Sequence, residues 1–131
     1  MNDKPEKKSI SVEGLPAAVG PYRQAVEYGG LIYTSAQLPI DPVTNELIPG
    51  DIAAQTKKAM ENLRALLEGC GSSMAKILHC RVYITDMAAF PTVNAVYGSF
   101  FEGIEPPARV CVEVSGLAKN ADIEIEAVAY R

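Results

Sequence analysis

Arg109, Cys111 and Glu124 bring a guanidinium, a thiol and a carboxylate into the C-terminal part of the chain. The first two lie in "PPARVCVEV" (106–114) and the third in "IEIEAVA" (123–129). A guanidinium holds a carboxylate through two parallel hydrogen bonds. A glutamate accepts a hydrogen bond from water and aims it at an electrophilic carbon. Together they suit hydrolysis of a small acid that already carries a reactive C=N bond. The same groups admit a structural use, in which Arg109 closes a salt bridge to Glu124 or Glu126 across neighbouring strands. Cys111 reads as packing and pocket lining, although a nearby arginine can lower a thiol's pKa. His79 is the single histidine and reads as a surface or interface residue. One histidine excludes zinc sites built on two or more. Tyr22, after the Gly-Pro loop of "GPYRQA", is either a packing tyrosine or an aromatic lip over a ligand.

Alternation and helical spacing indicate the elements that must position these groups. "ISV" (10–12) reads as a short first strand, and "RQAVEYGGLIYTSAQL" (23–38) as a hairpin turning at Gly29-Gly30. Asp51 caps a helix whose apolar face is Ile52, Thr56, Ala59, Met60, Leu63, Leu66 and Leu67, ended by Gly69 and Gly71. "AKILHCRVYIT" (75–85) alternates, with Leu78, Cys80, Val82 and Ile84 on one face and His79, Arg81, Tyr83 and Thr85 on the other. A second helix, capped by Asp86, covers roughly 87–101. In the next strand Val110, Val112 and Val114 oppose Arg109, Cys111 and Glu113. In the last, Ile123, Ile125, Ala127 and Ala129 oppose Glu124, Glu126, Val128 and Tyr130. The order β-β-β-α-β-α-β-β predicts an α+β fold with two helices on one face of the sheet. The valine and isoleucine faces of the last two strands are expected beneath the helices. Arg109, Cys111, Glu113, Glu124, Glu126, Arg81, His79 and Tyr83 are then expected together on the opposite face. That face is either wet or the inside of an oligomer.

The chain has 131 residues, 48% of them hydrophobic, and a net charge of −4. One domain is expected over residues 9–131, behind a flexible leader at 1–8. The acidic balance makes nucleic acid an unlikely partner. No stretch reaches the length of a membrane span, no signal peptide is legible at the start, and the three cysteines form no C-x-x-C pair. A cytoplasmic protein with reduced thiols is expected.

"GPYRQA" (20–25), "YTSAQLPIDP" (33–42), "VNAVYGSFF" (93–101), "PPARVCVEV" and "IEIEAVA" follow one another in this order. Together they resemble the RidA (YjgF) reactive intermediate deaminase family over nearly the whole chain. The resemblance implies a chorismate-mutase-like mixed β-sheet with two helices on one face. It implies a homotrimer with a central barrel-like core and ligand sites in clefts between subunits. It implies hydrolysis of 2-imino acids, released as enamines by pyridoxal-phosphate-dependent dehydratases, to 2-keto acids and ammonia. No metal or organic cofactor is implied. By motif, Arg109 matches the carboxylate-binding arginine and Glu124 the residue that positions water. Cys111 matches a pocket cysteine whose backbone carbonyl matters more than its thiol. Tyr22, Ser35 and Asn94 match further substrate-binding positions. Ala36 stands in place of a glycine, Ala118 in place of a proline, and the 102–106 loop is short; these bear on pocket volume. Two other functions compete. One is a non-catalytic module that binds small carboxylates or a protein partner in the same cleft. The other, endoribonuclease activity, fits the acidic charge and single histidine poorly.

Overall fold

The computed structural model describes residues 4–131, so the first three residues of the expected leader lie outside the described residues. The elements are β1 (Lys8–Ile10), β2 (Ala25–Tyr28), β3 (Leu31–Thr34), α1 (Ile52–Gly69), β4 (Ile77–Ile84), α2 (Phe90–Ser99), β5 (Ala108–Glu113) and β6 (Ile123–Tyr130). Their order is the expected one. The first strand begins two residues earlier than "ISV". The β2–β3 turn uses two left-handed glycines, Gly29 (φ 60°) and Gly30 (φ 82°), a conformation that side-chain-bearing residues resist. Asp51 caps α1 by accepting from the Ala54 amide at 3.0 Å. The second helix is shorter than expected. Asp86 caps a 3₁₀ turn over Met87–Ala89, and α2 proper follows with Pro91 in its first turn, where a missing N–H costs nothing.

The strands form one sheet in the order β1-β2-β3-β6-β4-β5. Every pairing is antiparallel except β4 with β5. That parallel pair requires a crossover, which α2 supplies. Both helices contribute to one core with β4 and β6, centred on Met60, Leu63, Leu66, Leu67, Val82, Val93, Ile123 and Ile125. No helix among the described residues is long and apolar enough to cross a membrane.

Two face assignments need correction. In β4 a bulge between Ile77 and His79 shifts the alternation. Ile77 takes the buried position and Leu78 is left exposed. The larger correction concerns β5. Cys80 lies beside Arg109, Val82 beside Cys111 and Ile84 beside Glu113, and residues paired across a sheet share a face. Cys80, Val82 and Ile84 are buried under the helices, so Arg109, Cys111 and Glu113 are on the helix face. Val110 (46% exposed) and Val112 (39% exposed) are on the open face, beside Arg81 and Tyr83. The expected valine core face of β5 is therefore inverted. Periodicity separates the two faces of a strand but does not say which is covered. The isoleucine face of β6 is under the helices as expected.

Two buried polar residues of α1 escaped the apolar periodicity. Gln55 exchanges hydrogen bonds with Asp122, donating to its carboxylate (3.0 Å) and accepting from its amide (2.9 Å). Asn62 donates to the carbonyls of Leu38 (3.0 Å) and Ile40 (2.9 Å), which pins the loop after β3 against α1. Asn62→Ala strands both carbonyls in a dry site and is expected to cost about 2–3 kcal/mol. The check is urea unfolding, read as a lower midpoint with an unchanged slope.

Candidate active site

Six residues were expected to act together, and the fold divides them into two groups. Ser35, Tyr22 and Glu124 form the first. After β3 the chain continues alongside β6, where Gln37 and Ile125 exchange backbone hydrogen bonds of 2.7 and 3.1 Å. This brings Ser35 and Ala36 next to Glu124. The Ser35 hydroxyl donates to the Arg23 carbonyl (2.6 Å), tying the strand to the Gly-Pro loop. Tyr22 is held over that loop by the Val19 amide, which donates to its hydroxyl at 3.1 Å. Val19, Tyr22, Ser35, Ala36, Leu38, Ala118 and Glu124 line an open cleft of about 310 Å³. Both alanines that depart from the family pattern are in this lining. Ala118 is delivered there by a turn in which Lys119 (φ 58°) and Asn120 (φ 58°) are both left-handed, and such backbone often accompanies a site.

Glu124 is half-buried, and burial followed by the nearby Glu126 charge raises its pKa above the ordinary carboxylate value. Glu126 is itself engaged by the Tyr83 hydroxyl, which donates to it at 2.5 Å. The cleft thus holds a carboxylate of increased basicity beside apolar walls.

Arg109, Asn94 and Cys111 form the second group, on the helix face of the outermost strand. Arg109 Nη1 donates to Asn94 Oδ1 at 2.7 Å. The guanidinium carbon is 5.4 Å from the centre of the Phe90 ring and 4.9 Å from that of Tyr97. Phe90 and Tyr97 were not anticipated as site residues. The signal was present, since positions 90, 94 and 97 follow the i, i+4, i+7 spacing of one helix face. Arg109 makes no ion pair with a carboxylate among the described residues. Glu124 and Glu126 are on the other side of the sheet, which removes the salt-bridge reading.

Cys111 packs against the core edge. Burial raises its thiol pKa, and Arg109 only partly offsets this, so the thiol is not activated. Its backbone is differently placed. The Val114 amide donates to the Ile84 carbonyl at 2.8 Å, which turns the main-chain groups of Val110, Val112 and Val114 toward β4. Those of Arg109, Cys111 and Glu113 therefore point to the outer edge.

A sequence profile of the endoribonuclease L-PSP family matches residues 13–131. The chain belongs to that family. It is the RidA (YjgF) family that the motifs resemble, and the likeness extends through sequence and fold. The 2-iminobutanoate/2-iminopropanoate deaminase of Escherichia coli K12 is 44% identical over 126 residues, covering 95% of this chain and 98% of that one. The crystal structure of YyfA from Yersinia pestis, a Rid-family protein, superposes with a TM-score of 0.93 at 39% identity, covering 96% of this chain and all of the other. That of E. coli TdcF with bound serine superposes with a TM-score of 0.90 at 40% identity, covering 95% and 98% of the two chains. The family's α+β architecture, two helices on a mixed sheet, is the one described above.

Proposed function

We propose that the protein hydrolyses 2-imino acids to 2-keto acids and ammonia, in sites that each join two subunits of a homotrimer. The observation that carries this reading is the division of the six residues. Arg109 and Glu124 are on opposite faces of one sheet, so no single chain presents both to one small substrate. A neighbouring copy can. The open face exposes Tyr33, Val110 and Val112 beside the half-buried Val128, an apolar surface more typical of an interface than of a free monomer. Burying it against a second copy sets the Glu124 cleft of one chain beside the Arg109 edge of the next.

In that site Arg109 holds the substrate carboxylate, and the outward carbonyl of Cys111 is free to accept from the imine N–H. Glu124 takes a proton from water as its oxygen adds to the C=N carbon. Glu124 returns that proton to the nitrogen, the hydroxyl of the resulting amino alcohol gives its proton to the freed carboxylate as the C–N bond breaks, and ammonia leaves with the keto acid. A protonated imine is already electrophilic, so positioning supplies most of the required effect. An RNA-cleaving reading has less support, because His79, the only histidine, is flanked in the sheet by Ala108 and Val128.

The direct test couples the protein to a pyridoxal-phosphate dehydratase that releases 2-aminoacrylate and follows keto-acid formation. Acceleration by wild type and its loss in Arg109→Ala is expected. Binding of 2-ketobutyrate by calorimetry without turnover of any imine would instead mark a non-catalytic carboxylate-binding module.

The raised pKa of Glu124 has a consequence for rate. Only the carboxylate form accepts a proton from water. Activity should therefore hold above the raised pKa and fall as pH drops through it, at an inflection above that of an ordinary glutamate. Glu126→Gln removes one of the two raising causes and should move the inflection of kcat/KM to lower pH. An inflection that stays fixed would remove Glu124 from the proton-accepting role.

A further inference from the structure

We infer that α2 is the device that positions the Arg109 guanidinium, with the Phe90 and Tyr97 rings and the Asn94 carbonyl setting how tightly the substrate carboxylate is held. This rests on Arg109 being the carboxylate clamp. An arginine on an outermost strand has a long, freely rotating side chain. Fixing it only when substrate arrives takes entropy out of the binding energy. Here the ordering is done beforehand by one helix face.

Asn94 Oδ1 takes one N–H of Nη1. Of the five N–H donors of a guanidinium, no other makes a hydrogen bond among the described residues. One edge of the fork is therefore occupied and the remainder is left for a carboxylate. Both ring centres lie within the ~6 Å over which an aromatic face attracts a cation. They also displace water from the guanidinium, which strengthens its hydrogen bonds to an anion.

The Tyr97 ring is itself fixed. It is 6% exposed, and its centre is 4.9 Å from that of Phe101. Its hydroxyl is buried beside the Cys80 thiol, a weak partner on the side away from substrate chemistry, so the ring and not the hydroxyl is the working part. That sets Tyr97→Phe apart from Tyr97→Leu.

The experiment compares Tyr97→Phe, Tyr97→Leu and Phe90→Leu by imine kinetics, by calorimetric Kd for 2-ketobutyrate, and by the Nε–H NMR signal of Arg109, identified by its loss in Arg109→Lys. Each leucine variant should raise KM and Kd about five- to tenfold, with a much smaller change in kcat. Each should also move the Nε–H signal as a ring current is lost. Tyr97→Phe should rescue all three. A fall in kcat with unchanged KM and Kd would overturn the inference, as would a stationary Arg109 signal. Phe90 is only half-buried, so Phe90→Leu carries the test if Tyr97→Leu does not fold. Ligand binding by wild type without imine turnover would sink the deaminase reading alone. The Kd and NMR arms would then still decide the inference, and no binding of 2-ketobutyrate at all would overturn both.

Discussion

Chains carrying Arg109→Ala and chains carrying Glu124→Gln are each expected to be nearly inactive alone, yet to recover activity when co-expressed. Loss of the carboxylate clamp should cost on the order of 10²–10³ in kcat/KM, since two charge-assisted hydrogen bonds go with it. In the proposed cyclic trimer each site would take Arg109 from one chain and Glu124 from the next. Random assembly of equal amounts then gives both wild-type side chains in about one site in four. Recovery of roughly a quarter of wild-type turnover is the expected result. Activity no higher than that of the parents would mean that one chain supplies both groups, or neither. The expectation comes from the sheet itself: Cys80 beside Arg109 and Tyr83 beside Glu124 place the two groups on opposite faces.

The second large effect is expected from Val110→Asp combined with Val112→Asp. Both valines are exposed in the single chain, so the substitutions remove almost no core packing and the chain should fold. In a trimer they would bury two unpaired carboxylates per chain. The penalty is several kcal/mol per ion even after relaxation. Light scattering should report a monomer with a native circular dichroism spectrum, and imine hydrolysis should vanish with assembly. A trimer that survives with full activity would place the interface elsewhere. An unfolded monomer would return these valines to the core, where alternation alone had put them.

That contrast marks how far the sequence reaches. The apolar spacing of α1, the Asp51 cap and the Gly29-Gly30 turn are local, and each formed as expected. The buried face of β6 was legible because four consecutive inward positions are apolar. β5 was not, since both of its faces carry groups that tolerate either environment. The Leu78 misassignment has a similar origin: one extra residue near the start of β4 puts Leu78 out of step with Cys80, Val82 and Ile84, and nothing in "AKILHCRVYIT" announces it.

The candidate site follows the same division. The residue types were legible: a guanidinium for a carboxylate, a carboxylate for water, and motifs in the order shared by a family. Their distribution between two faces was not. It arises because α2 crosses over to lay β5 parallel to β4 and fixes the register at Cys80 with Arg109. It also arises because the chain after β3 runs alongside β6 and opens the cleft at Glu124. Sequence alone determined which chemical groups are present and which local elements carry them, because propensity, capping and periodicity act over a few residues. Only the tertiary structure decided which face each group occupies, and so that one chain holds Arg109 and Glu124 on opposite faces of its sheet. Register and burial are set by contacts between segments far apart in sequence.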